Sequence, residues 1–302
     1  MNKYLHRFEE NKYIILLFHG VINKHTNSVR NYNRKHIDVD YFEKVIKEFS
    51  EFGNVISMDE LILLQKKGEG IKERSFIVTF DEGFANNLEI AAPILREYNI
   101  PATFYVTTDF IDNNSMSWID RIEYVIEKTE VKSISLSWLR ENVNIENNLN
   151  KIEALDEIRR YVKSNSNFNV NEFISQLYQQ LDEIEVFSSD DILDRKMNWE
   201  ELKELNSYPL FTIGGHTHSH PIMAFLSDEK LEDEVSKCLN LLKSKAEISA
   251  THFSYPEGQS NHYNENVIRK LKEKGIICCP SAIDGVNYLS EDLFNLKRIT
   301  IV

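Results

Sequence analysis

The sequence predicts an α/β protein built on a parallel sheet, either open or closed into a barrel. Short apolar runs rich in β-branched and aromatic residues alternate with segments of helical period. Residues able to do chemistry cluster where those runs end. At 302 residues, 42% hydrophobic and 27% charged, the chain has the composition of a globular protein that can bury a full core as one large domain or two small ones.

The elements follow in order. Residues 13–18 form an apolar strand ending at His19-Gly20, and the loop 21–38 is polar and rich in Asn and Arg. Asp38 or Asp40 can cap a helix whose Phe42, Val45, Ile46 and Phe49 recur at helical spacing, closed by Gly53. Ser57-Met58-Asp59-Glu60 is a capping box, which predicts a helix over 58–67 stopped by Gly68. Ser75–Phe80 reads as a buried strand. Asp81 and Glu82 stand where the chain leaves it, and Gly83 ends it. A helix over 86–98 is built on Leu88, Ala91, Ala92, Leu95 and Tyr98, with Pro93 bending it or marking its true start. Pro101–Thr108 reads as the next strand.

Between Pro101 and Pro209 there is neither glycine nor proline, and helical patterning recurs at Ile119, Ile122, Val125 and Ile126 and again at Ile152, Leu155, Ile158 and Val162. This exceeds any ordinary βα connection. It predicts a helical insertion over about 112–195 carried by a single domain, 1–302. The alternation then resumes: a short helix from Met197-Asn198-Trp199-Glu200, a strand Leu210–Ile213, the loop Gly214–Pro221, a helix over 228–245, a strand 251–255, a helix 264–274 and a strand 276–279.

The formal net charge of −13 disfavours nucleic acid and anionic membrane surfaces as partners. Tyr13–Phe18 is too short for a signal-peptide core or a membrane span. Cys238, Cys278 and Cys279 suggest no disulfide framework. Together these lead us to expect a cytoplasmic protein without a transmembrane segment.

Asp81 and Glu82 are adjacent acids at a strand end near the core, a placement that costs desolvation unless a cation compensates. A divalent metal would do so and leave one carboxylate free for proton transfer. The loop Gly214-Gly215-His216-Thr217-His218-Ser219-His220-Pro221 holds three of the nine histidines. One helical turn would put His216 and His220 on one face. An extended segment would offer His216 and His218 instead. With the acids, the set becomes two histidines and a carboxylate around a metal, with a second carboxylate as base, the open pattern of a hydrolytic site.

Thr79-Phe80-Asp81-Glu82-Gly83 resembles the Thr-Phe-Asp-Asp-Gly motif of the NodB-homology polysaccharide deacetylases. Gly215-His216-Thr217-x-x-His220-Pro221 is similar to their His-Ser/Thr-x-x-His motif, and Phe253-Ser254-Tyr255-Pro256-Glu257-Gly258 to their variant Phe-x-Tyr-Pro-x-Gly. Ile100-Pro101-Ala102-Thr103-Phe104 and Trp199-Glu200 also fit, and the resemblance covers roughly residues 13–110 and 197–300. It implies a distorted (β/α) barrel with the site at its C-terminal rim. It also implies metal-dependent removal of an N-acyl group from an amino sugar, acetyl being the family default and formyl fitting the same chemistry. With no export signal expected, the substrate expected is a monosaccharide or a nucleotide- or lipid-linked sugar. Asp81 matches the general base. Glu82, His216 and His220 match the metal ligands, with zinc the first expectation, and a backbone N–H at Glu257 would help hold the oxyanion.

The chain departs from the pattern in three places. Glu82 replaces the usual Asp, and Ser254 stands where many members carry an Arg that orients the base. The late histidine that serves many members as general acid has no match in Asn295–Val302. Candidates for that acid are His262, then His218, then His252, although core packing suits His252 better. His19, Tyr255, Pro256, Glu257 and Phe84 are expected to line the substrate site, with Trp118 a further candidate for stacking on a sugar. His6, His25 and His36 are expected in the solvated N-terminal part. The departures motivate an alternative of another class, a catalytically inactive carbohydrate-binding protein on the same fold.

Overall fold

The computed structural model describes residues 4–24, 29–71 and 73–302. Its centre is β1 (Tyr13–Phe18), buried on both faces as its unbroken apolar run requires. Then come β2 (Gly20–Ile22), β3 (His36–Asp38), α1 (Val39–Phe52), β4 (Asn54–Val55) and α2 (Met58–Lys67). In α1, Phe42, Val45, Ile46 and Phe49 form the buried face, and Asp38 is the N-cap residue. Ser57 caps α2 by accepting from the Glu60 N–H, and Gly68 ends it with φ 65°.

β5 (Ser75–Glu82) is longer than the sequence suggests. Both acids lie inside it, because Asp81 and Glu82 pair with Tyr105 and Val106 of β6 (Ala102–Val106). Between β5 and β6 the chain makes a π-helical turn over Asn87–Ala91 before α3 (Ala92–Glu97). Pro93 therefore lies in the first turn of α3, where its missing N–H is not needed.

The segment after β6 contains α4 (Thr108–Asn113), α5 (Trp118–Lys128), a small antiparallel hairpin β7–β8 (Ser133–Ile134, Val143–Asn144), α6 (Asn148–Ser164) and α7 (Val170–Gln180). The hairpin is not legible in the helical patterning. This segment has an apolar cluster of its own, including Ile122, Ile126, Leu155, Ile158, Ile174 and Leu177.

α8 (Trp199–Ser207) opens with a full capping box between Asn198 and Glu201. β9 (Phe211–Gly215), α9 (Asp228–Ala246), α10 (Glu265–Glu273) and β10 (Ile299–Thr300) complete the fold. The parallel sheet runs β10-β1-β5-β6-β9, with β4 also pairing the start of β5. Past β9 the order continues only as single bridges, Gly215 to Phe253 and His252 to Cys278. The strands expected at 251–255 and 276–279 thus shrink to one pairing each, since Pro256 and Pro280 bring no N–H to a ladder. Loop hydrogen bonds, Ser281 N to Leu296 O at 2.8 Å and Arg298 N to Ile283 O at 3.0 Å, lead back toward β10. The register brings the ends of β5, β6 and β9 to one rim, with His216 directly after β9. Gly214 and Gly215 are required there: a Cβ would come within 2.6 Å of the Tyr105 and Phe253 rings respectively.

Candidate active site at the sheet rim

Asp81 is held from the far end of the chain. Arg298, fully buried just before β10, donates to both its oxygens, Nη1 to Oδ1 at 2.8 Å and Nη2 to Oδ2 at 2.7 Å. Arg298 Nε donates to Ser281 O at 2.6 Å, which fixes the guanidinium plane. Ser254 Oγ adds a bond to Asp81 Oδ1 at 3.2 Å. Burial alone would raise the Asp81 pKa, but the Arg298 charge outweighs it and brings the group down to about 2. The guanidinium expected on the third motif is thus supplied by a residue 44 positions later, and Ser254 adds only a hydroxyl.

Glu82 has a different environment. Its φ is 78°, a left-handed conformation that side chains rarely adopt, and Gly83 follows at 84°. The turn aims the carboxylate at Lys35, whose Nζ lies 2.9 Å from Glu82 Oε2 and 2.9 Å from Asp120 Oδ1 on α5. Lys196 Nζ stands 3.7 Å from the other Asp120 oxygen. Burial would raise the Glu82 pKa, and Lys35 outweighs it so that the group stays ionised. The alignment is ionic only, and Glu82 Oε2 is left without a hydrogen bond.

The histidine loop is not a helical turn. Thr217 and His220 take φ values of 63° and 64°, and these two left-handed residues fold the loop so that the His216 and His220 rings lie 4.9 Å apart. Glu234 of α9 accepts from the His218 and Ser219 N–H groups at 2.9 and 2.8 Å, pinning the turn. His216 Nδ1 donates to Ser254 O at 2.9 Å, which leaves Nε2 as the free lone pair, 4.0 Å from Asp81 Oδ2. His220 Nδ1 is buried with no partner. Burial lowers the pKa of both rings, His220 to about 4 with the help of His216, so both are neutral near pH 7.

A cavity of about 160 Å³ opens over these groups, and His19, Lys35, Tyr255, Glu257, Arg159 and Lys163 lie on its walls with them. Tyr255 is fixed by its hydroxyl on Phe294 O at 3.0 Å and by stacking on Tyr263. Glu257 pairs with Lys163 of α6 at 2.5 Å, and that charge holds its pKa below the usual range against the effect of burial. Pro256 is buried and sets the turn without lining the cavity.

Other expected site residues lie elsewhere. His262 is not placed to protonate a leaving group: its Nδ1 accepts from Gln259 N at 3.1 Å and its Nε2 donates to Lys163 O at 3.2 Å, so both nitrogens tie backbone together. Phe84 is wholly buried beneath the Lys35 and Lys196 ammonium groups and offers no face to a sugar. His218 turns to Thr108 Oγ1 at 3.0 Å. His252 is buried with its Nε2 3.0 Å from Asp59, in keeping with core packing. Trp118 borders a different and larger cavity of about 760 Å³ between α5, α6 and the histidine loop. His6 is exposed as expected, whereas His36 is buried in β3 against Phe84. His25 lies outside the described residues.

Sequence reasoning missed Arg298, Lys35 and Asp120. Arg298 left only its place before Ile299 and Ile301, in a stretch that also holds Lys297 and Thr300, and Lys35 sits in a polar loop where another lysine is unremarked. The donor types suit a divalent ion: two neutral imidazoles, each with a nitrogen free, beside the Glu82 carboxylate, which Lys35 meets by an ion pair alone. Their arrangement does not yet do so. Among the described residues no three His, Cys, Asp or Glu side chains are gathered closely enough to hold a metal.

Residues 69–277 match the family model described as polysaccharide deacetylase. A poly-beta-1,6-N-acetyl-D-glucosamine N-deacetylase of Staphylococcus aureus is 26% identical over 140 residues, 42% of this chain and 46% of that protein. The match thus spans about half the length of that curated relative. Among solved structures, the deacetylase PplD of Streptococcus pyogenes in complex with acetate aligns with a TM-score of 0.61 at 15% identity, covering 97% of this chain and 94% of that one. IcaB from Ammonifex degensii aligns with a TM-score of 0.60 at 15% identity, over 96% and 92%. These two likenesses establish a shared fold.

Proposed function

Because the chain belongs to the polysaccharide deacetylase family, we propose that the rim site hydrolyses the N-acyl amide of an amino sugar, with Asp81 as general base. The observation that carries this reading is the Asp81 carboxylate, buried, ionised, fixed in plane by Arg298 and turned toward the free Nε2 of His216. Glu82, His216 and His220 would hold a divalent ion, zinc first. When bound, such an ion supplies polarisation of the acyl carbonyl and a lower pKa for water. Asp81, kept ionised with its pKa lowered to about 2, is the group that would take the proton of the attacking water. Once protonated, Asp81 is also the group best placed to return that proton to the departing amine. Tyr255 and His19 bound the sugar, and the Glu257 backbone N–H serves the oxyanion.

The name of the Staphylococcus aureus relative favours an N-acetylglucosamine polymer as substrate. Nucleotide-linked and lipid-linked N-acetyl or N-formyl amino sugars present the same bond. Sugar binding without turnover is the second reading, and the Lys35 ammonium on Glu82 favours it.

The test is metal analysis of the purified protein with amine release from β-1,6-linked N-acetylglucosamine oligomers and from N-acetyl and N-formyl amino-sugar nucleotides. The hydrolase reading expects turnover that falls by about 10²–10⁴-fold in Asp81→Asn, the range for loss of a general base. Sugar binding with no amine release under saturating zinc would replace it with the second reading.

A further inference from the structure

We propose that Lys35 is a built-in counter-cation of the site, which competes with a divalent ion for Glu82 and must withdraw onto Asp120 before the ion can bind. The inference rests on the reading of Glu82 as a ligand.

The geometry is that of an ammonium shared between two carboxylates. Lys35 Nζ stands 2.9 Å from Glu82 Oε2, 2.9 Å from Asp120 Oδ1 and 3.2 Å from Asp120 Oδ2. A lysine is a compact point charge on a flexible stem, so a short swing away from Glu82 keeps both contacts to Asp120. The contact to Glu82 is also the less well aligned of the two, an ion pair at 2.9 Å without hydrogen-bond geometry.

The charge balance around the cavity gives the competition its force. Asp81 is neutralised by Arg298, Glu257 by Lys163, and the Glu82–Asp120 pair by Lys35 and Lys196. With both rim histidines neutral, every carboxylate at the site already has a cation. A divalent ion arriving beside Glu82 with Lys35 in place would add two uncompensated positive charges at low dielectric. Removing the ammonium frees one carboxylate for the ion. Asp120, which touches no proposed ligand, becomes the residue that decides how easily Lys35 gives way.

The test is titration of the full chain with cobalt(II), followed by calorimetry and by the visible absorption that reports ligand number, in wild type, Lys35→Met and Asp120→Asn. Lys35→Met should bind at least about tenfold tighter, because a like charge beside the ion is gone. Asp120→Asn should bind several-fold more weakly, because Lys35 is left with Glu82 alone. A lysine that merely braces the fold would change stability in both variants without shifting affinity in opposite directions. If Lys35→Met does not fold with Asp120 unpaired, Lys35→Met/Asp120→Asn removes both charges and carries the same tightening. Wild type that binds cobalt with Lys35→Met binding no tighter overturns the competition and leaves the metal reading standing. No cobalt uptake by wild type or either Lys35 variant overturns both.

Discussion

Asp81 and Glu82 are successive residues of β5, yet they stand in opposite electrostatic regimes. On the Asp81 side one buried guanidinium meets one carboxylate with two aligned hydrogen bonds, and its plane is locked by a third bond to the backbone. On the Glu82 side one ammonium is divided between two acids, with a second ammonium behind it, and it meets Glu82 as an ion pair without hydrogen-bond geometry. A planar fork fixes a base, whereas a shared point charge leaves a ligand exchangeable. Two adjacent acids can therefore carry different duties without differing much in chemistry.

The contrast can be broken from the stable side first. Arg298→Met should destabilise the fold by about 3–5 kcal/mol, because it strands a buried carboxylate, and denaturant unfolding would show it. Acid gives the next largest effect. Asp81 titrates at about 2 when folded against an ordinary 3.8, so its pairing contributes stability that is complete above the ordinary value and is lost as pH falls through about 2. That contribution is about 2 kcal/mol, and it should vanish from the acid limb of the stability curve in Arg298→Met. His262→Ala should lose about 1 kcal/mol for its backbone hydrogen bonds while turnover at saturating substrate stays within about twofold. A collapse in turnover would restore His262 as the proton donor. Smallest of all, Lys163→Ala breaks a partly exposed pair with Glu257 and should cost less than about 1 kcal/mol, read by thermal melting.

Much of the site was legible because its residues lie close together in the chain. Asp81 with Glu82, and His216 with His220, announce themselves by spacing, and their strands by apolar runs. The sequence leaves open how the histidines come together, since a helical turn and a pair of left-handed residues give the same four-residue spacing. The same limit applies to His262. Its position after the third motif suggests reach, but only the packing of α6 reveals that both its nitrogens already serve backbone groups.

The sequence by itself determined the alternation of strand and helix, the capped start of α2, the start of α8, and which acids and histidines gather at the rim. These depend on local periodicity and on contacts within a few residues, which a chain records directly. Only the tertiary structure decided which cation stands on which acid. Arg298 meets Asp81 across 217 positions, and Lys35 meets Glu82 and Asp120 across 47 and 85. Such pairings are chosen by the sheet order and by the packing of the segment after β6, and a long-range choice of partner leaves no periodic trace in sequence.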